Sequence, residues 1–192
     1  MPENSWRLFI GCFVQSEALR EYYHRLKTAC SPWSRAKWVA PDQLHFTLAF
    51  LGEIPRSHLP ELLQPLAPIL HEYASPIVLR GVGVFPNWRA PRVLYIGVEN
   101  PGGVLQGVYA ILRDSLLAAG FTPAEKERSF VPHVTIARLK ELHHADRFRK
   151  ALRPYAELVF DTLPSFQPVL VRSILTPEGP LYSVISPELP AA

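Results

Sequence analysis

Two short stretches of this 192-residue chain carry the same pattern of reactive side chains. One is His45-Phe46-Thr47-Leu48 and the other is His133-Val134-Thr135-Ile136. Each reads histidine, apolar, threonine, aliphatic, and they lie a little under half the chain length apart. A neutral imidazole accepts a proton and an imidazolium donates one, around an unperturbed pKa of about 6.5. Two histidines on opposite sides of one phosphorus would divide the work of hydrolysis: one activates water, the other protonates the departing oxygen. A threonine two residues on shares the strand face of its histidine, and its hydroxyl is a neutral donor for a non-bridging phosphate oxygen. One such tetrad is an ordinary piece of strand. Its duplication points to a two-lobed fold in which each half lends a strand to a shared cleft.

The surrounding elements must hold those strands face to face. From Leu44 to Leu51 strict alternation puts His45, Thr47, Ala49 and Leu51 on one face and Phe46, Leu48 and Phe50 on the other, with Gly52 closing the strand. The second strand, Phe130 to Leu139, puts Arg138 opposite His133 and Thr135, so Arg138 enters the cleft only if the strand bulges or ends first. A strand is expected at residues 6–14. A helix capped by Ser16 runs to about Ala29, with Leu19, Tyr22, Tyr23 and Leu26 on its apolar side, and Ser31-Pro32 ends it. Lys37-Trp38-Val39 is a short extended piece before a turn at Pro41-Asp42. A helix is expected from Ser57 to Tyr73, kinked or broken by Pro65 and Pro68. Residues 77–85 and 92–98 read as a strand pair, and residues 103–119 as a helix stopped by Gly120. A short basic helix at 145–152 precedes strand-like pieces at 158–160, 166–173 and 182–185, with a turn at Pro177-Glu178-Gly179-Pro180. Tight turns favour antiparallel pairing, hence an α+β fold in one domain spanning 1–192.

Bulk properties narrow the function. A hydrophobic fraction of 48% with 19% charged residues describes a globule with a real core. A net charge of +3 and a pI near 9.0 suit a small phosphorylated substrate or an RNA end better than a long nucleic-acid backbone. Cys12 and Cys30 lack metal or redox spacing and read as buried thiols. No metal-binding, P-loop or nucleophile-elbow motif is present. No apolar run approaches the ~18 residues of a membrane span, and Met1 to Arg7 lacks the basic region of a signal peptide, so a cytoplasmic location is expected. His24, His58, His71, His143 and His144 read as surface groups. Trp88, with Arg89, Arg92 and Phe85 nearby, offers either a stacking and charge platform or a loop anchored by one tryptophan.

The context of both tetrads resembles the 2H phosphoesterase superfamily, and within it the RNA 2′,3′-cyclic phosphodiesterases, also called 2′-5′ RNA ligases. The similarity rests on Arg7-Leu8-Phe9-Ile10, on Trp38-Val39 through Leu44-His45-Phe46-Thr47-Leu48 and Phe50-Leu51-Gly52-Glu53, on Phe85-Pro86 with Arg92-Val93-Leu94, and on Phe130 through Arg138. The resemblance implies two pseudo-symmetric lobes, each an antiparallel sheet with helices packed outside, forming a central cleft. It implies hydrolysis of an RNA terminal 2′,3′-cyclic phosphate to a 2′-phosphomonoester without metal or other cofactor, with reversible 2′-5′ ligation in principle. Carried over by residue, His45 is the proton donor and His133 the proton acceptor. Thr47 and Thr135 hold phosphate oxygens, and Arg138, Phe85 and Arg92 contact substrate. The partners implied are RNA 3′ ends or nucleotides bearing the cyclic phosphate, handled by a monomer. Other readings stay open: a relative acting on 2′-5′ oligoadenylate or another cyclic phosphate, or a non-catalytic RNA-end binding module. Family members often carry a basic residue two after the first threonine. Ala49 stands there in this chain, leaving Arg138, Arg92 or Lys37 to meet the phosphate charge.

Overall fold

The computed structural model describes residues 4–124, 130–177 and 179–185. Strand β1 (Ser5–Phe13) has a continuously buried centre and leads to helix α1 (Glu17–Cys30). The Ser16 hydroxyl accepts from the Leu19 amide at 2.9 Å, satisfying an orphan N–H of the first turn. Leu19, Tyr23, Leu26 and Cys30 recur at helical spacing and form the buried face. Strand β2 (Ser34–Trp38) and a single 3-10 turn lead into β3 (His45–Pro55). That strand outruns the expected stop at Gly52, which it carries internally at φ +72, a conformation that glycine adopts without a Cβ penalty.

Helix α2 occupies only Leu59–Leu66, not the seventeen-residue span the apolar spacing suggests. Neither Pro65 nor Pro68 supplies an amide to the ladder, so the helix breaks rather than kinks. Strands β4 (Ile77–Phe85) and β5 (Val93–Glu99) pair antiparallel, and helix α3 (Val104–Ala118) buries Leu105, Val108, Leu112 and Leu116. Strand β6 (His133–Leu142), helix α4 (Ala145–Leu152) and strands β7 (Val159–Leu163), β8 (Val169–Leu175) and β9 (Pro180–Ile185) complete the order. Between β8 and β9, Thr176 and Gly179 exchange backbone hydrogen bonds; Glu178, within the expected turn, lies outside the described residues.

The strands run β7-β4-β5-β6-β3-β1-β8-β9, with β2 also pairing to β6. Two antiparallel lobes are present, but they are joined in one sheet rather than standing apart. The joint is a single residue pair, Phe46 with Val134, from the centres of the two tetrads. The helices interlock the lobes. α1, which follows β1, packs against α4 and β7 of the other lobe, and α2 packs against α3. The Ser16 hydroxyl also donates to the Asp161 carboxylate on β7. One apolar core runs through both lobes, from Leu8 and Ile10 to Leu94, Val134 and Leu170.

Candidate active site

Each tetrad begins its strand, and each strand breaks alternation at the same place. On β3, Thr47 opposes Gly11 and Ala49 opposes Ile10, leaving Leu48 as an extra residue. On β6, Thr135 opposes Tyr95 and Ala137 opposes Leu94, leaving Ile136 extra. Leu48 and Ala49 are both buried, as are Ile136 and Ala137. Past each bulge the parity of the faces reverses. Arg138 therefore turns to the side of His133 and Thr135 and lines the cleft. The same step corrects the expectation for β3: Ala49 enters the core at 3% exposure, and Phe50 turns into the cleft instead. Phe50 is thus the counterpart of Arg138.

His45, Thr47, His133, Thr135 and Arg138 line one cleft of about 450 Å³. Because β3 and β6 run antiparallel about the Phe46–Val134 pair, His45 lies towards Thr135 and Thr47 towards His133. One wall of the cleft is Lys37, Trp38, Val39 and Ala40; the other is Thr176 and Gly179 to Tyr182. No Asp or Glu is among the described lining residues. Nor does any group of three or more His, Cys, Asp or Glu suited to a metal occur among the described residues.

Both imidazoles are anchored in the same way. His45 Nδ1 lies 2.7 Å from the Gln43 carbonyl oxygen and His133 Nδ1 lies 2.8 Å from that of Val131. A carbonyl only accepts, so Nδ1 carries the hydrogen in each ring and Nε2 is left to exchange protons in the cleft. Aromatic rings hold both in place. Phe9, Phe13 and Tyr182 surround His45 at centroid distances of 4.9, 5.8 and 5.1 Å. Phe85 and Tyr95 flank His133 at 4.8 and 5.3 Å. Burial pushes the pKa of His45 below 6.5 against the raising effect of the Gln43 bond, and the charges of His133 and Arg138 push it the same way. His133 is lowered too, by burial first and then by Arg138, against its bond to Val131.

The other candidates are placed less centrally. Phe85 packs on His133 and Tyr95 rather than lining the cleft. Arg92, with Arg89, lines a separate groove beside Lys140 and Glu141. Trp88 lies under the Arg149 guanidinium near α4, 5.6 Å from its carbon, so no platform is assembled at the histidines. Both thiols are buried, and burial pushes Cys30 up to about 12. Sequence reasoning missed Tyr182, which carries no local signal of proximity to His45. It also missed the carbonyl anchors, although both occur at the same offset, two residues before each histidine.

The family profile described as LigT like Phosphoesterase matches residues 13–95. A Methanothermobacter thermautotrophicus protein named RNA 2′,3′-cyclic phosphodiesterase is 34% identical, over 87% of this chain and 90% of its own. An Aquifex aeolicus protein of the same name is 33% identical over 93% and 94%. A solved structure from Thermus thermophilus superposes at a TM-score of 0.68 with 31% identity, covering 94% of this chain and 95% of that one. E. coli LigT shares the fold at a TM-score of 0.72 and 23% identity, over 95% and 96% of the two chains. With a third of its residues shared over nearly the whole length of such relatives, the chain belongs to the LigT-like RNA 2′,3′-cyclic phosphodiesterase family.

Proposed function

We propose that this protein is a phosphodiesterase that opens the 2′,3′-cyclic phosphate at an RNA 3′ end to a 2′-phosphomonoester, acting as a cytoplasmic monomer. One observation carries the reading: two imidazoles, each with Nδ1 tied to a carbonyl, present Nε2 to one cleft together with two threonines and a guanidinium. In the reaction, His133 Nε2 takes a proton from water as its oxygen bonds to phosphorus. The bond from phosphorus to O3′ breaks, and His45 Nε2 gives its proton to O3′. Thr47, Thr135 and Arg138 meet the charge building on the non-bridging oxygens. Side chains supply every group these steps use. The reverse reaction, with a 5′-hydroxyl in place of water, forms a 2′-5′ linkage, but water is in vast excess and hydrolysis dominates. The names of the relatives support this chemistry.

The test is turnover of a 2′,3′-cyclic nucleotide by wild type, His45→Ala and His133→Ala. Each substitution is expected to lower kcat by about 10²- to 10⁴-fold, with wild-type activity intact in EDTA. Full activity in either variant would overturn the reading. A substrate with sulfur in place of O3′ assigns the roles, because a thiolate departs without a proton. It should restore turnover to the His45 variant alone; rescue of His133→Ala instead would reverse the assignment.

A further inference from the structure

The cleft holds more positive charge than one cyclic phosphate needs. Lys37 on β2 is the register partner of Arg138 on β6, and both line the cleft. Directly opposed side chains on neighbouring strands stand about 5 Å apart, and like charges so placed destabilise the pair. No described carboxylate in the lining offsets them. Among the described residues the Lys37 ammonium donates to a neutral acceptor, the Pro177 carbonyl oxygen at 3.2 Å, at the tip of the β8–β9 hairpin across the cleft. That side chain is exposed, so exchanging the carbonyl for a charged oxygen orders nothing new and replaces a neutral bond with a charge-assisted one. A terminal cyclic phosphate carries a single negative charge, which Arg138 meets beside His133. The next negative charge on an RNA chain is the phosphodiester one nucleotide upstream.

Resting on the function proposed above, we propose that Lys37 is the contact for that upstream phosphodiester. The RNA chain then leaves the histidines between β2 and the β8–β9 turn, where Lys37 to Ala40 face Thr176 and Gly179 to Tyr182. Lys37 is a specificity residue in this account. It gives the enzyme a preference for RNA ends over free cyclic nucleotides, and it makes that preference depend on salt.

The experiment compares wild type with Lys37→Gln on two substrates, a cyclic nucleotide with a free 5′-hydroxyl and a dinucleotide ending in the same cyclic nucleotide. For the dinucleotide, KM should rise about five- to tenfold in the variant, and the slope of log KM against log salt should fall by about 0.7. For the mononucleotide, KM should move by less than about twofold. Equal losses on both substrates would overturn the proposal, since Lys37 would then serve the reacting phosphate or hold the hairpin. No change on either would overturn it as well. Failure of wild type to open any cyclic phosphate would overturn the reading of function. The Lys37 contact is then judged by binding of nucleoside 2′-phosphates with and without a 5′-phosphate. A 5′-phosphate advantage present in wild type and lost in Lys37→Gln supports it, and no such advantage in wild type overturns it.

Discussion

At the residue scale, the two histidines share one design and differ in surroundings. Identical Nδ1 anchors give both rings the same tautomer, so either can serve as acid or base and the neighbours decide. Around His45 the cleft is aromatic, with Phe50 where the other half has Arg138. That asymmetry bears on pH. In the proposed mechanism the active state has one charged and one neutral imidazole, and its population peaks between the two macroscopic pKa values. Burial lowers both, so the kcat/KM maximum should lie on the acid side of pH 6.5. Bound phosphate favours imidazolium, so the kcat maximum should lie at higher pH than that of kcat/KM. Measured profiles with the order reversed, or flat between pH 5 and 9, would contradict the shared-proton picture. Sequence exposed the two tetrads that meet at the cleft, because duplication of His-x-Thr is itself the signal. It exposed their surroundings poorly, because Tyr182 reaches His45 from a strand far along the chain.

At the element scale, the extra residue after each threonine decides what faces the cleft. A period of two assigns Arg138 and Phe50 to the wrong side, and the bulges at Leu48 and Ile136 reverse both. The clue lies in the composition after each threonine. Leu48-Ala49 and Ile136-Ala137 are adjacent apolar pairs, which a strand with one buried face does not need unless both residues go inward. The helices were legible where apolar spacing and caps agreed, as in α1 and α3, and misread in α2, where two prolines outweighed the spacing. Ser16 illustrates an element holding more than itself: it caps α1 and reaches Asp161 on β7. Ser16→Ala is expected to lower stability by about 1–2 kcal/mol in urea unfolding, with kcat nearly unchanged. A stability loss confined to a few tenths of that would mean the cap and its cross-lobe bond are replaced by water.

At the scale of the whole molecule, the lobes are not independent units. β1 lies between β3 and β8, and α1 packs on α4 and β7, so residues near one end are held by residues near the other. Unfolding in urea should be one transition, with tryptophan fluorescence and far-ultraviolet circular dichroism coincident; two separated transitions would mean the lobes melt apart. Among the described strands, the His45 lobe ends at the edge of β9, whereas β8, which β1 needs as a partner, begins at Val169. A nascent chain on the ribosome displays the His45 segment well before β8 and β9 have emerged, and the His133 segment shortly before them. Until then β1 lacks one neighbour, and the wall containing Tyr182 does not exist. The cleft therefore completes only once β8 and β9 have emerged.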